Sequence, residues 1–304
     1  MRGMIAGKWH EDLHVVDEGP VDLVELFDST AARTEIDLER LAKAPHSYHL
    51  YVAEACPFAH RTLLARALLD IDIPLTRIDP WLGGPEGWLL PHDDRGPVSG
   101  ATKLWQVYAA SDPEFSGQVT VPVLWDKDNA VIANAESDEI LEAFFSAFGY
   151  RSTIVSEGES LPALCQWIKE RINVGIYRVG FAANQCEYDE ASTAFVESLE
   201  LLEQRLVGAD YLWNNQPSIA DLFLFPTAIR FDVAYQGAFQ MLDTRWRDFP
   251  NLQAHMLRIA ALPGVADTVV PAQYRRHYFD DGVFPMRHPG TDGHYIVPRT
   301  PDPI

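Results

Sequence analysis

The stretch His49-Leu-Tyr-Val-Ala-Glu-Ala-Cys-Pro-Phe-Ala-His-Arg-Thr-Leu-Leu-Ala-Arg-Ala-Leu68 decides the fold of this chain. Its first five residues are rich in β-formers and predict a short buried strand over 49–53. A proline at the first helical position, followed by apolar residues at helical spacing, predicts a helix over 57–69. A second strand is predicted over 74–79. Strand, helix and strand in this order form a β-α-β unit, which implies that the two strands are parallel.

The segments around this unit have distinct patterns. Residues 1–47 carry scattered glycine, proline and mixed charges, and we expect an irregular lead-in. Residues 80–117 form a connection long enough to be functional or partly helical. A strand over 119–125, entered through a proline, leads through a turn into a return strand over 130–133. An amphipathic helix is predicted to begin at Glu136.

The second half of the chain has the pattern of packed helices. Residues 219–225 are apolar on nearly every side, which is typical of a buried central helix. Ser218 and Asp221 have the spacing of a capping box at its start. Cys165 lies on the apolar face of another predicted helix, and we interpret it as a core residue. From about residue 279 the chain is rich in proline and glycine and is predicted to form a surface tail.

Charge and composition exclude several classes of function. The chain has 304 residues, and its 44 acidic and 24 basic side chains give a formal charge of −20. A field of that sign repels nucleic-acid phosphates and anionic lipid. No apolar run approaches the ~18 residues of a membrane span, and the first ten residues lack the apolar stretch of a signal peptide. With three cysteines only, we expect a reducing, cytoplasmic setting.

Cys56 is the first candidate for chemistry. A thiol at a helix N-terminus faces unpaired N–H groups and the positive end of the helix dipole, and both favour the thiolate. His60 and Arg61, one turn further on, are expected to add positive potential. Position 59 is alanine, so a disulfide-cycling pair is excluded and a second thiol must come from another molecule. The alternative is that Cys56 is a small buried hydrophobe.

The string His10-Glu-Asp-Leu-His14 has the spacing of a zinc-protease motif. It lies in the irregular lead-in, whereas the motif needs a helix and a third ligand. We therefore interpret it as a chance match and predict no metal site.

The residues after the β-α-β unit resemble the glutathione site of glutathione transferases. Thr120-Val-Pro122 precedes a strand, and Glu136-Ser137 opens the next helix. In that family the proline is cis, the backbone before it pairs with the cysteinyl part of glutathione, and the Glu-Ser pair holds the γ-glutamyl end. By this resemblance those roles fall to Val121, Glu136 and Ser137. The capping box at Ser218 resembles the one in the helical domain of the family.

Longer strings are similar to the Xi class of that family, the glutathionyl-hydroquinone reductases. The resemblance runs from about residue 48 to about residue 280. It implies an α/β thioredoxin-like N-terminal domain plus an all-α C-terminal domain. The predicted parts are an extension over 1–47, a thiol-binding domain over 48–150, a helical substrate domain over 151–278 and a tail over 279–304. The strings are Tyr48-His-Leu-Tyr-Val, Cys56-Pro-Phe-Ala-His-Arg-Thr-Leu63, Thr120-Val-Pro-Val-Leu-Trp-Asp-Lys127, Gly175-Ile-Tyr-Arg-Val-Gly-Phe-Ala182, Arg230-Phe-Asp-Val-Ala-Tyr235 and Arg276-His-Tyr278.

The resemblance implies a two-step thiol transfer on Cys56, with a mixed disulfide between the steps. Glutathione or another small thiol is a co-substrate, no cofactor is held permanently, and a homodimer is expected. Three tyrosine hydroxyls are implied as donors to the aromatic substrate, and a tryptophan as a contact of glutathione. A core ring with a tied hydroxyl is the alternative for each tyrosine. The matching residues are Tyr177, Tyr235, Tyr278 and Trp88.

Three positions depart from the class pattern. Phe58 replaces a tryptophan, Ala135 an asparagine, and Gln118 an arginine that would pair with a carboxylate of the bound thiol. We keep Gln118 as a predicted thiol-site residue. These changes leave open a different thiol such as mycothiol. A conjugating glutathione transferase and a non-enzymatic binding protein with the same fold also remain as alternatives.

Overall fold

The computed structural model describes residues 2–11, 32–82, 84–148, 160–214 and 216–280. The chain forms two compact units, Met1–Arg151 and Ser152–Ile304. Residues 281–304 of the predicted C-terminal tail lie outside the described residues, whereas residues 279 and 280 belong to a helical segment. Within the described ranges, no helix has the length and apolar character needed to cross a membrane.

A four-stranded mixed sheet organises the first unit. Its order is β4-β3-β5-β6, with β3 and β4 parallel and the other neighbours antiparallel. The predicted parallel pair and the hairpin are therefore confirmed. Every residue of β3 is buried, because the strand lies in the middle of the sheet. The strands are β3 Tyr48–Val52, β4 Leu75–Arg77, β5 Val123–Asp126 and β6 Val131–Asn134.

In the described part of the first unit, four α-helices accompany this sheet. Two of them, α2 and α4, pack against each other, and α2 begins at the predicted proline. The long connection over 80–117 contains α3, which confirms that it is partly helical. The Gln106 side chain starts this helix by accepting hydrogen bonds from the backbone N–H groups of Thr102 and Lys103, at 2.7 and 3.1 Å. The helices are α1 Leu38–Lys43, α2 Pro57–Leu68, α3 Leu104–Ser111 and α4 Ser137–Ala147.

The expectation of an irregular lead-in was wrong for the described part of residues 1–47. Strands β1 Gly3–Ile5 and β2 Lys8–His10 form an antiparallel hairpin. Its turn uses Gly7 at φ +73°, where a Cβ would lie 1.7 Å from the carbonyl oxygen of Pro113. Strands of three residues are too short to show a period of two in the sequence. The hairpin also contacts residues about a hundred positions later in the chain, Pro113 and Gly117.

The lead-in is also tied to the sheet. The backbone of Met4 exchanges hydrogen bonds with Gly117, at 2.8 and 2.9 Å. Further along, the N–H of Thr34 donates to the carbonyl of Ala133, and the N–H of Ala135 donates to the carbonyl of Ala32. Residues 32–34 therefore run beside β6 and extend its hydrogen bonding.

All elements in the described part of the second unit are helical, as predicted. Its centre is α8, which is buried along nearly its whole length. The α-helices are α5 Leu161–Ile168, α6 Gly175–Phe181, α7 Gln185–Arg205, α8 Ile219–Arg230, α9 Gln236–Ala238, α10 Pro250–Ala260 and α11 Pro271–Arg275.

The predicted capping box is present at the start of α8. The Asp221 carboxylate accepts hydrogen bonds from the Ser218 N–H and hydroxyl, both at 2.7 Å. The same carboxylate accepts from the backbone N–H of Leu212 at 2.9 Å and contacts His255 Nε2 at 2.7 Å. Asp221 therefore joins α8 both to the loop before it and to α10.

Three π-helical segments interrupt the second unit. They are Lys169–Asn173, Phe231–Tyr235 and Arg276–Asp280, and each continues or precedes an α-helix. Such segments are rare in proteins, and those that occur are often found at functional sites. Tyr235 and Tyr278 lie inside the second and the last of these segments, and Tyr177 lies in the first turn of the helix that follows Lys169–Asn173.

Candidate active site

Cys56 is the N-cap residue of α2, as predicted. It has extended backbone angles (φ −73°, ψ 123°), and Pro57 is the first helical residue. Cys56 forms no disulfide and is partly exposed. The Sγ atom lies 3.6 Å from the carbonyl oxygen of Val121. The helix start and the loop that carries Val121 therefore meet at the sulfur.

The loop that meets Cys56 contains a cis peptide bond between Val121 and Pro122. Tyr108 on α3 holds this loop: its hydroxyl donates to the Thr120 carbonyl at 3.0 Å and accepts from the Thr120 N–H at 3.4 Å. Burial raises the pKa of Tyr108 to about 12, so the hydroxyl stays protonated at neutral pH. Tyr108 was not predicted as a site residue, because nothing in its local sequence indicates a partner 12 residues away.

The predicted pair Glu136-Ser137 lies at the start of α4, with Glu136 as the N-cap residue. Asn134 turns the chain here, since its side-chain oxygen accepts from the Glu136 N–H at 2.7 Å. The Ser137 hydroxyl donates to Asp138 at 3.1 Å and accepts from Arg61 at 3.2 Å. Both Glu136 and Ser137 are buried, so their arrangement is fixed by the fold.

Arg61 connects the helix of Cys56 with this second helix start. The guanidinium is 1% exposed, pairs with Asp138 and lies 5.0 Å from the centre of the Phe58 ring. Its charge therefore serves the start of α4. Phe58, one of the departures from the class pattern, thus supplies an aromatic face for a buried cation.

Arg33 brings a second cation to the start of α4. Its guanidinium lies 3.5 Å from the Glu136 carboxylate and 3.5 Å from that of Glu139. Arg33 is nearly half exposed, whereas Glu136 is mostly covered. An anion and a cation thus stand side by side at the position predicted for a γ-glutamyl group. Arg33 was missed because its partner is about a hundred residues away in the sequence.

Trp88 and Gln118 are the remaining predicted site residues of the first unit. Trp88 is buried, and its carbonyl accepts from the N–H of Leu104 at 2.9 Å. Gln118 is partly exposed and stands in the loop between the Gly117 contact with the hairpin and Thr120. Trp88 thereby fixes the start of α3, which carries Tyr108.

The three predicted tyrosines of the second unit are brought together. The hydroxyl oxygens of Tyr177 and Tyr278 are 2.5 Å apart, and Tyr278 donates to the Tyr235 hydroxyl at 3.2 Å. The three side chains are at most 5% exposed. All three rings contact Phe239, with ring centres 5.4 to 5.9 Å apart. We call these three residues the tyrosine cluster.

Tyr278 is the member of the tyrosine cluster that contacts both others, and its hydroxyl stays protonated at neutral pH. Burial raises the pKa of Tyr278 well above its ordinary value of 10, and the neighbouring Tyr177 and Tyr235 raise it further, whereas Arg230 lowers it. Because a hydroxyl both donates and accepts hydrogen bonds, the hydrogen-bonded cluster can donate a proton to an oxygen or carbon that gains negative charge.

The sequence also contains two other cysteines, Cys165 and Cys186, and the two histidines of the motif with zinc-protease spacing, His10 and His14. Cys165 is buried, as predicted, and Cys186 is exposed. His10 ends strand β2, and His14 lies outside the described residues. In the part of the chain that the structure describes, no group of three or more potential metal ligands occurs.

Comparisons with known proteins agree with both units. Residues 55–146 match the glutathione S-transferase N-terminal domain, and residues 187–258 match the glutathione S-transferase C-terminal domain. The glutathionyl-hydroquinone reductase PcpF of Sphingobium chlorophenolicum is 37% identical over 270 residues, which cover 84% of this chain and 83% of PcpF.

Two solved structures are similar over most of their length. The Xi class GST from Natrialba magadii has a TM-score of 0.79 and 32% identity, and the match covers 92% of this chain and 89% of that one. The glutathione-bound structure of YqjG from Escherichia coli K-12 has a TM-score of 0.70 and 36% identity, with 84% and 85% covered.

Proposed function

Because this chain belongs to the Xi class of the glutathione transferase family, we propose that it is a glutathionyl-hydroquinone reductase that removes the glutathionyl group from glutathionyl-hydroquinones. One observation carries the proposal on this chain's own residues. Within the first unit, a partly exposed cysteine stands at a helix start, 3.6 Å from the residue before a cis-proline. PcpF and YqjG are both named as glutathionyl-hydroquinone reductases.

In the first step the Cys56 thiolate attacks the sulfur of the bound adduct. A sulfur–sulfur bond forms, the bond between sulfur and the aromatic carbon breaks, and its electron pair remains on the ring. The ring carbon then takes up a proton, and free hydroquinone leaves. The α2 N-terminus favours this step, because its N–H groups and dipole stabilise a thiolate at the N-cap position.

In the second step a molecule of glutathione attacks the mixed disulfide on Cys56. Glutathione disulfide leaves, and the thiolate is restored. A thiolate that is stable at neutral pH is also a good leaving group, so the features that favour the first step serve the second. The proton lost by the incoming thiol balances the one that the ring took up.

The tyrosine cluster is proposed as the proton source for the ring and as the donor to its oxygens. The Tyr278 hydroxyl is protonated and hydrogen-bonded to those of Tyr177 and Tyr235, which suits a group that passes on one proton and shares the remaining charge. The alternative for Tyr177, Tyr235 and Tyr278 is a packing role only. Substitution by phenylalanine separates the two roles, since the ring stays and the hydroxyl is lost.

We propose glutathione as the thiol, with mycothiol as the alternative. The backbone of Val121 is proposed to pair with its cysteinyl part, and Glu136 and Ser137 to hold its γ-glutamyl end. Trp88 and Gln118 are proposed as further contacts of the bound thiol. The Arg33 and Glu136 charges match the carboxylate and ammonium groups that share one carbon of a γ-glutamyl residue. YqjG has been solved with glutathione bound. A reducing cytoplasmic location and a homodimer complete the proposal. The location is supported by three cysteines that form no disulfide. The homodimer is supported by the resemblance to the class.

The decisive experiment is intact-mass spectrometry after a single turnover. The full chain is mixed with a glutathionyl-hydroquinone without free glutathione, and the C56A variant serves as the control. One glutathionyl group on the wild type only, with hydroquinone released, is the expected result. An intact substrate and an unmodified wild type would contradict the proposal. A mycothiol adduct formed where the glutathione adduct fails would favour the other thiol, and conjugate formation would favour a conjugating enzyme.

A further inference from the structure

Arg230 is a buried cation beside the tyrosine cluster. It is the last residue of α8 and is 0% exposed. Its guanidinium carbon lies 4.0 Å from the centre of the Tyr274 ring, and Nη1 donates to the carbonyl of Pro226 at 2.8 Å. Arginine stays protonated in proteins, so a full positive charge is held inside the second unit. A buried charge is costly unless its surroundings compensate it.

The tyrosines are electrostatically coupled to that cation. Burial alone lowers the pKa of Arg230, but attraction to Tyr274, Tyr235, Tyr278 and Tyr177 outweighs it, and the net direction is upward. Three of these four residues form the tyrosine cluster. The electrostatic coupling is mutual, because Arg230 lowers the pKa of Tyr278 against the effect of burial.

The local chain geometry explains how the cation reaches the cluster. The π-helical segment that holds Tyr235 begins directly after Arg230, and the segment that holds Tyr278 continues directly from the helix that holds Tyr274. These two segments pack against each other. Arg230 thus lies directly before the segment that holds Tyr235 and against the Tyr274 ring, one turn before Tyr278.

We infer that Arg230 is a positioning residue that stabilises the negative charge left on the tyrosine cluster when the cluster gives a proton to the departing hydroquinone ring. The inference rests on the proposed function. In the first step one O–H bond of the cluster breaks, a C–H bond forms on the ring, and a tyrosinate remains. In the second step, the proton released by glutathione restores the hydroxyl. Arg230 takes part in neither bond change and acts by its charge.

The inference predicts an effect on one step only. Thiol exchange at Cys56 needs no proton from the tyrosines, whereas carbon–sulfur cleavage does. We expect R230Q, which removes the charge and keeps a donor, to slow hydroquinone release about 10- to 100-fold. The release of glutathione disulfide from the mixed disulfide is expected to stay within about twofold of wild type. R230K keeps the charge, and its first step is expected to lie close to that of wild type.

The test measures each step separately on the full chain. Stopped-flow mixing with a glutathionyl-hydroquinone follows hydroquinone release, and the preformed mixed disulfide is mixed with glutathione for the second step. F231L is the matched control, because Phe231 is the buried neighbour of Arg230 and carries no charge. If R230Q does not fold, R230M replaces it as the uncharged variant.

The outcomes separate this inference from the proposed function. Equal first-step rates in R230Q and R230K, an equal loss in both steps, or a first-step loss in F231L as large as in R230Q would overturn it. The Y278F variant tests the cluster itself. If Y278F slows the first step and R230Q does not, the inference fails and the proposed function stands. If Y278F does not slow it, the proposed role of the cluster fails as well.

Discussion

The stability of the first unit is expected to fall in acid because of one histidine. His49 lies in the central strand β3, and its Nε2 is 2.9 Å from the Thr76 hydroxyl. Burial, with a smaller contribution from Lys127, lowers its pKa from 6.5 to about 4, although Asp94 acts in the opposite direction. The folded state therefore holds a neutral ring where the unfolded chain binds a proton.

The sign and size of the effect follow from proton linkage. The folded pKa is below the unfolded one, so the contribution of His49 is complete above pH 6.5 and is lost as the pH falls towards about 4. A pKa difference of about 2.5 corresponds to about 3 kcal/mol of unfolding free energy. That amount is a large part of the stability of an ordinary domain.

The assay is native-state hydrogen exchange of the β3 amides as a function of pH, in wild type and in His49→Gln. The glutamine keeps a polar side chain but has no proton to gain, so its β3 amides are expected to lose less protection in acid by about 3 kcal/mol. His46→Gln is the control, because His46 is exposed just before the strand. Equal acid losses in wild type and His49→Gln would refute the reasoning.

Three further predictions concern the contacts that hold the two parts of the site. Arg61→Met is expected to lower the unfolding free energy by about 3 kcal/mol, since Asp138 loses its buried cationic partner and Ser137 loses a donor, and to raise the KM for glutathione. The exposed pair of Lys43 makes Lys43→Met a control, with a urea-unfolding change near zero. Tyr108→Phe is expected to cost about 1–2 kcal/mol and to raise the same KM, because the Thr120 backbone loses its partner; a change in kcat alone would argue against a role in loop positioning. Asp221→Ala is expected to cost about 3–5 kcal/mol, because several buried donors lose one acceptor; thermal unfolding within a few degrees of wild type would contradict this.

Much of the fold could be predicted because its signals are local. The proline after Cys56, the proline that leads into β5 and the capping pair at Ser218 each specify an element through neighbouring residues. The mixed sheet and the helical second unit agree with these expectations. Most element ends differ by one or two residues, as is usual where helices and strands fray, whereas β5 begins at Val123 and not at the predicted residue 119.

The contacts that were missed are those between distant parts of the chain. Tyr108 and Arg33 act on loops through side chains whose partners are not adjacent in the sequence. Phe239 joins the three tyrosine rings, but in the sequence it is one aromatic residue among many. The π-helical segments have no distinct periodicity over five residues, so the sequence offers no signal for them. Motif resemblance selected the three tyrosines, and only the fold shows that their hydroxyls are in contact.

The backbone that runs beside β6 has a consequence for handling the protein. β6 is the last strand of the sheet, and an uncovered strand of this kind invites pairing with another chain. Residues 32–34 occupy that position through the hydrogen bonds of Thr34 and Ala135. A truncated chain that starts at β3 would leave the edge of β6 unpaired and would also lack Arg33. We expect such a chain to self-associate, so protein prepared for crystallography or enzymology should retain the residues before β3.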